Sequence, residues 1–301
     1  MAGQSAEELK IRQPGFMTTA VLITGSSSGI GRASALRLAR HPQLTVYATA
    51  RRAETISDLA QAGARTVALD VTDEASMAAA VAGIESDVGP VGILVNNAGY
   101  GEYGTIEETD LGRVRREFET NVFGLSRMVQ LVLPGMRQAG RGRIINVSSM
   151  GGRLVFPGGG YYHASKYAVE AISDALRFEV APFGIQVSVI EPGLIRTGFG
   201  QTAAATLAGS AAPTGPYAVL NASVDKQMAK SYDSALLSAP PEAVADAIEQ
   251  AALASKPRSR YVVTPAAKLL VQSRRLLGDR VFDAFLGAQF KRGKAAAPSG
   301  N

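Results

Sequence analysis

The amino-acid sequence predicts an α/β fold: a doubly wound parallel sheet of about seven strands flanked by helices in one domain, followed by a helical tail. Three observations carry this prediction. Short β-rich runs alternate with helical patterns from residue 20 to about residue 264 without a break in composition, as in a parallel sheet covered by helices on both faces. The β-rich runs are nearly all apolar, which suits strands with no solvated face. The first of them passes directly into a glycine-rich turn that opens a helix.

Taken in order, the candidate strands are 20–24, 44–49, 66–69, 93–95, 143–147, 186–190 and 260–263. Between them the helical spacing of apolar residues marks 30–40, 54–61, 74–86, 111–136, 162–183 and 241–254. Residues 1–17 are polar, with acids in the first ten and no apolar run, and read as a flexible extension ahead of a domain spanning 18–264. Within that domain, 193–232 falls where such a sheet places a loop over its carboxyl edge; its Ala, Gly and Ser content suggests a mobile substrate lid.

The tail, 265–301, is a basic amphipathic helical segment. From Lys256 onwards there are ten Lys+Arg against two Asp, a net +8, while the preceding residues carry 21 against 24, a net −3. Leu277, Val281 and Phe285, with Phe282, Leu286 and Phe290, follow helical spacing, with Gly278 as a stop and Asp279 as a new N-cap. Such a helix suits packing on the core or on another subunit, or weak association with an acidic membrane surface.

Composition narrows the chemistry. The chain has 301 residues, of which 46% are hydrophobic and 19% charged, so it folds as a globular protein. With no Cys and only His41 and His163, thiolate catalysis, iron–sulfur clusters and a Cys-ligated zinc are excluded, and no metal site is expected. The longest uncharged stretch, 197–224, is too polar and too broken by Pro213 and Pro216 to cross a bilayer. Cysteine usage is compatible with a reducing cytoplasmic location. No aromatic–basic interleaving points to nucleic acid.

The first strand runs into Thr24-Gly25-Ser26-Ser27-Ser28-Gly29-Ile30-Gly31. Glycine suits a backbone that turns sharply and approaches a pyrophosphate held by the free N–H groups of a helix N-terminus, the Rossmann-type arrangement. Further along, Tyr162 and Lys166 stand four apart on a helix and so share a face. A cation beside a phenol favours phenolate, bringing a group of ordinary pKa about 10 towards the working range of an acid–base catalyst. Ser149, just beyond the fifth strand, would hold the same substrate oxygen and stabilise alkoxide charge. His163 lies about 100° round the helix from Tyr162 and is expected to face elsewhere.

With these residues in place, the sequence resembles the short-chain dehydrogenase/reductase superfamily over roughly residues 18–200, most like its 17β-hydroxysteroid and retinol dehydrogenase branch on the strength of Asn96 to Gly101 and the Val155-Phe156-Pro157 turn. The resemblance implies a catalytic set of Asn121, Ser149, Tyr162 and Lys166, with Asn121 supporting a water-mediated proton relay and Lys166 also binding the cofactor ribose. It implies a cofactor site built from Gly25, Ser27, Ser28, Gly29, Ile30 and Gly31, with Asp70 and Val71 against the adenine and Asn97, Ala98 and Gly99 along the adenosine ribose. Pro192, Gly193, Ile195 and Thr197 would form the nicotinamide side. Homodimers or homotetramers are usual in the family.

The second strand ends in Ala50-Arg51-Arg52 with no acid for the ribose hydroxyls, and Arg51 supported by Arg52 offers a fork for a 2′-phosphate, so NADP(H) is expected. Candidate substrate-pocket residues are Tyr100, Ser149, Met150, Val155, Phe156, Tyr161, Leu194 and Phe199, an aromatic and aliphatic list suited to a lipophilic ketone, aldehyde or alcohol. The alternative is a nonenzymatic NADP-binding sensor or scaffold; relatives of that kind have typically lost the Tyr or the Lys, and this chain has both.

Overall fold

A computed structural model describes residues 18–212 and 214–291; the expected extension at 1–17 and the last ten residues of the tail lie outside the described residues. Seven strands, β1 (Thr19–Ile23), β2 (Leu44–Ala50), β3 (Arg65–Ala68), β4 (Val91–Asn96), β5 (Gly142–Val147), β6 (Ile185–Glu191) and β9 (Arg260–Val262), form one parallel sheet in the order β3-β2-β1-β4-β5-β6-β9. A two-stranded ribbon, β7 (Leu194–Ile195) and β8 (Ser238–Ala239), stands apart from it. The strand order reverses between β1 and β4, and in such sheets ligands bind in the crevice beyond the carboxyl ends at that point.

Two apolar layers cover the faces of the sheet. On one, α2 (Glu74–Val88), α4 (Leu125–Gln138) and α5 (Gly160–Val180) bury Met77, Ile84, Met128, Val132, Met136 and Val169. On the other, α1 (Gly29–Leu38) and α8 (Pro241–Leu253) bury Ala35, Leu38, Val244 and Ile248. Each of the larger of these side chains, Ala35 aside, contributes roughly 1.5–3 kcal/mol when taken from water, before the entropy of ordering is set against it. Inside the sheet, Asn96 Nδ2 donates to Asn146 Oδ1 (3.0 Å) and Asn146 Nδ2 to Ser173 Oγ (2.9 Å), tying β4, β5 and α5 together through buried polar groups.

Two segments differ from the sequence expectation, while the tail is helical and breaks at Gly278 as expected. The single helix expected over 111–136 is α3 (Leu111–Phe118), a π-helical segment Glu119–Gly124, and α4. The lid is not a loop: α6 (Phe199–Ser210) and α7 (Ala218–Asp233) make a helical pair. The tail forms α9 (Pro265–Gln289), capped at Thr264, whose hydroxyl accepts from Ala267 N, and broken at Gly278, where φ is 70° and ψ −174°. Its second limb brings Leu286 and the following Phe290 to Leu207 of α6 and Val224 of α7 in a third, small apolar cluster.

Candidate active site

The turn after β1 shows why glycine is needed there. Gly25 has φ +72°, and a Cβ on it would sit 2.8 Å from Ala98 Cα; one on Gly31 would run into the Gly25 carbonyl. Thr24 and Asn97 lock this turn to the end of β4. Asn97 Nδ2 donates to the carbonyls of Thr24 (2.9 Å) and Gly25 (3.0 Å), while Thr24 Oγ1 accepts from the backbone N–H of Asn97 and of Ala98 (both 3.0 Å). At the start of α1, Ser28 makes no side-chain cap. The first-turn N–H groups are thus left to an outside acceptor, the arrangement that holds a pyrophosphate.

One cavity of about 890 Å³ gathers most of the expected residues. Its walls include Gly25, Ser27, Ser28, Gly29 and Ile30 from the turn, Arg51, Asp70 and Val71 from the ends of β2 and β3, and Asn97, Ala98, Gly99 and Tyr100 beyond β4. Ser149, Met150, Phe156, Tyr162 and Lys166 form the centre, and Pro192, Gly193, Leu194, Ile195, Thr197 and Phe199 the far side. Asp70 closes its own loop, with Oδ1 accepting from Thr72 N (2.9 Å) and Oγ1 (2.7 Å).

Five expected residues lie off the wall. Gly31 is covered by the turn it supports. Arg52 is exposed and leads into the 3₁₀ helix Ala53–Ala60, so that only Arg51 of the pair faces the cavity. Val155 points to solvent: in the irregular segment after the 3₁₀ turn at Met150–Gly152, Leu154 is buried and Phe156 faces the cavity, while the residue between them turns outward. Tyr161 lies one residue round α5 from Tyr162, and its hydroxyl donates to Ile106 O (3.4 Å).

Asn121, the fifth, is buried one layer behind the wall. The π-helical segment shifts its amide out of the helical register, so that Nδ2 donates to Tyr100 O (2.8 Å) and Ser165 Oγ (3.0 Å), and Oδ1 accepts from Tyr100 N (3.1 Å). Its Oδ1 and Lys166 Nζ converge on Gly99, lying 2.8 and 3.5 Å from where a Cβ of that residue would be. Glycine at position 99 therefore lets these two polar groups approach one another.

The electrostatics correct one expectation. Tyr162 is pushed well above the ordinary phenol range rather than below it: burial dominates, a hydrogen bond with Ser149 opposes it, and the charges of Tyr232 and Glu117 add to it. Lys166 Nζ stands 6.0 Å from the Tyr162 ring centroid and donates to Val147 O (3.0 Å). Burial also holds Lys166 down, to about 8, against the pull of Glu117 and Glu170, so its charge does not offset the water lost around the phenol.

Some wall residues escaped the sequence reading. Tyr103 stacks on Tyr162 with centroids 5.8 Å apart, and Phe199 packs on the same ring at a tilt, 5.2 Å away. His163, expected to face elsewhere, also lines the cavity; its Nδ1 meets Gly151 O (3.1 Å), and burial pushes it down to about 4, keeping it neutral. Val224, Met228 and Tyr232 of α7 and Leu270, Phe285 and Phe290 of α9 supply the outer wall. Glu117, buried on α3, accepts from Glu102 N (2.9 Å). Glu191, fully buried at the end of β6, is paired with Arg153 (3.2 Å) and Arg260 (3.1 Å) and fixes the strand that delivers Pro192 and Gly193. Isolated Glu and Tyr residues carry no spacing signal, so these were not legible in sequence. Among the described residues, no group of three or more His, Cys, Asp or Glu is placed to hold a metal.

Comparison with known proteins bears on the fold and the family. The family model described as short chain dehydrogenase matches residues 19–208. An uncharacterized oxidoreductase of Escherichia coli, YbbO, is 37% identical over 272 residues, covering 90% of this chain and 94% of its own. An NADPH-dependent 3-dehydrocapnine reductase of Ornithobacterium rhinotracheale is 33% identical over 280 residues, covering 90% and 97%. Among solved structures, a short-chain dehydrogenase from Streptomyces avermitilis superposes with a TM-score of 0.74 at 34% identity, covering 90% of this chain and 95% of that one.

Proposed function

The chain belongs to the short-chain dehydrogenases, a family of oxidoreductases, and on that premise we propose that it interconverts a lipophilic ketone or aldehyde and its alcohol by hydride transfer with NADP(H). One observation carries this reading: Ser149, Tyr162, Lys166 and the glycine turn share the wall of a single cavity whose remaining walls are largely aromatic and aliphatic. The residues fit the dinucleotide. The uncapped start of α1 and the close approach of Gly25 to Ala98 make a cradle for the pyrophosphate. Arg51 stands at the cavity edge where β2 ends, without an ion-pair partner among the described residues, and is suited to fork onto a 2′-phosphate. Asp70, Val71 and Asn97 to Gly99 would border the adenosine, with Pro192, Gly193, Ile195 and Thr197 on the nicotinamide side. The name of the Ornithobacterium relative includes NADPH and a reductase activity, which supports the same cofactor here.

When bound, NADP(H) supplies or takes up the hydride at the carbonyl carbon. In reduction Tyr162 Oη gives its proton to the carbonyl oxygen, and burial keeps the phenol in the protonated form that this step requires. Ser149 Oγ donates a hydrogen bond to the same oxygen, orienting it and stabilising alkoxide charge as it grows. Lys166 places positive charge beside Tyr162 and would bind the cofactor ribose. Asn121 holds the Tyr100 backbone and Ser165, and with them the floor on which the relay rests. Tyr103 and Phe199 both pack on the Tyr162 ring and so reduce the access of water to it.

Cofactor choice is tested by fluorescence titration. NADPH should bind at least about tenfold tighter than NADH, and Arg51→Asp should abolish or reverse that preference by removing a charge-assisted contact. An unchanged preference in the variant would contradict the assignment of Arg51.

A further inference from the structure

The cavity continues beyond Tyr162 to α9, and what α9 does on its outer side leads to an interaction surface. The break at Gly278 divides the helix into two limbs. The second folds Phe282 and Phe290 back towards Phe156, with ring centroids 6.3 and 6.5 Å away. The elbow between the limbs is turned outward: Leu276 is 80% exposed, Leu277 56% and Val281 50%, and the exposed Arg275 and Arg280 bracket it. Arg274 reaches back from the first limb to Asp279 and lies over the Phe282 ring (5.3 Å), so the bend is held by its own contacts.

The same face reaches the cavity. Leu269, two turns before Leu276 and 67% exposed, belongs to the cavity wall, as does Leu237 beside the 88% exposed Leu236. Leucines at the mouth and tip, flanked by arginines, on a helix that holds four Lys+Arg against two Asp, have the chemistry of an interfacial anchor on acidic lipid. No helix among the described residues is long and apolar enough to cross a membrane, so the contact would be peripheral. A protein seated permanently on Leu269 and Leu237 would close the mouth. A fluid lipid surface covers the leucines and leaves the mouth open to molecules dissolved in it.

We propose that the α9 elbow docks on an anionic phospholipid bilayer, from which lipophilic carbonyl substrates pass directly into the cavity. The substrate part rests on the reductase reading above; the docking does not. The test is flotation of the full chain with vesicles of phosphatidylcholine alone and of phosphatidylcholine with phosphatidylglycerol in equal parts, alongside light scattering for mass and NADPH oxidation with a water-soluble carbonyl. The chain should float with the anionic vesicles and not with the neutral ones. Leu276→Glu with Leu277→Glu should reduce that binding by at least about tenfold, as should Arg275→Glu with Arg280→Glu. Mass and turnover on the soluble carbonyl should be unchanged in both.

Absence of binding to anionic vesicles, or binding indifferent to the substitutions, would overturn the docking and leave the reductase standing. A fall in mass in the leucine variant would also overturn it, making this face an interface between copies of the chain. Vesicle binding without turnover on any carbonyl would instead sink the reductase reading and keep the docking.

Discussion

Glu117 is fully buried, and its carboxyl is pushed up to about 8 because burial outweighs the Glu102 N–H and the Lys166 charge that favour the ionised form. Its ordinary value is 4.5, so the folded chain holds a proton there that the unfolded chain releases. The stability this contributes is complete below pH 4.5 and is lost as the pH rises through about 8. Glu117→Gln keeps an acceptor for Glu102 N and cannot ionise. Between about pH 5 and pH 9 its melting temperature should therefore fall less than that of the unsubstituted chain, and equal slopes would refute the assignment. At this scale the glycine turn and the Tyr162–Lys166 pair were legible in sequence because each rests on fixed spacing along one element. Val155, Tyr161 and Arg52 were misplaced because adjacent residues point in different directions, and only the local backbone tells which of two neighbours faces inward.

Helices α6 and α7, the lid we propose, are held by the segment that follows β4. Arg113 of α3 donates from Nη1 to Ser210 Oγ and from Nη2 to Thr206 O, both 3.0 Å, and pairs with the buried Glu102 at 2.6 Å. Tyr103 N donates to Thr206 Oγ1 (3.0 Å), and Glu108 accepts from Asn221 of α7 (2.9 Å). These contacts set α6, and with it Phe199, against Tyr162. Arg113→Ala should loosen the lid and raise KM by about tenfold while kcat changes little, since charge-assisted hydrogen bonds are lost but no group at the reacting atoms is touched. An unaltered KM in steady-state kinetics would show that the lid is positioned otherwise. All seven strands of the sheet were read to within two residues of their ends because buried strands are continuous apolar runs. α6 and α7 were not, since Ala, Gly, Ser and Thr draw no apolar stripe along 197–224, and the π-helical segment at Asn121 has no sequence signature.

At the scale of the molecule, the sheet brings the glycine turn and Tyr162 to one crevice beyond its carboxyl edge, and α6, α7 and the tail roof that crevice with apolar side chains. The architecture was legible from strand–helix alternation. The break at Gly278 was legible too, but what α9 touches was not: its basic charge and helical spacing left a core, a subunit and a membrane contact open, and only the fold shows that it turns Phe282 and Phe290 inward and Leu276 and Leu277 out. The central claim is that this crevice reduces an apolar carbonyl with Tyr162 as the proton donor. The most direct measurement is NADPH oxidation by the purified chain with a panel of apolar ketones and aldehydes, set beside Tyr162→Phe. The account predicts turnover that Tyr162→Phe lowers by at least about a hundredfold with NADPH affinity unchanged. Turnover retained by the variant would contradict it.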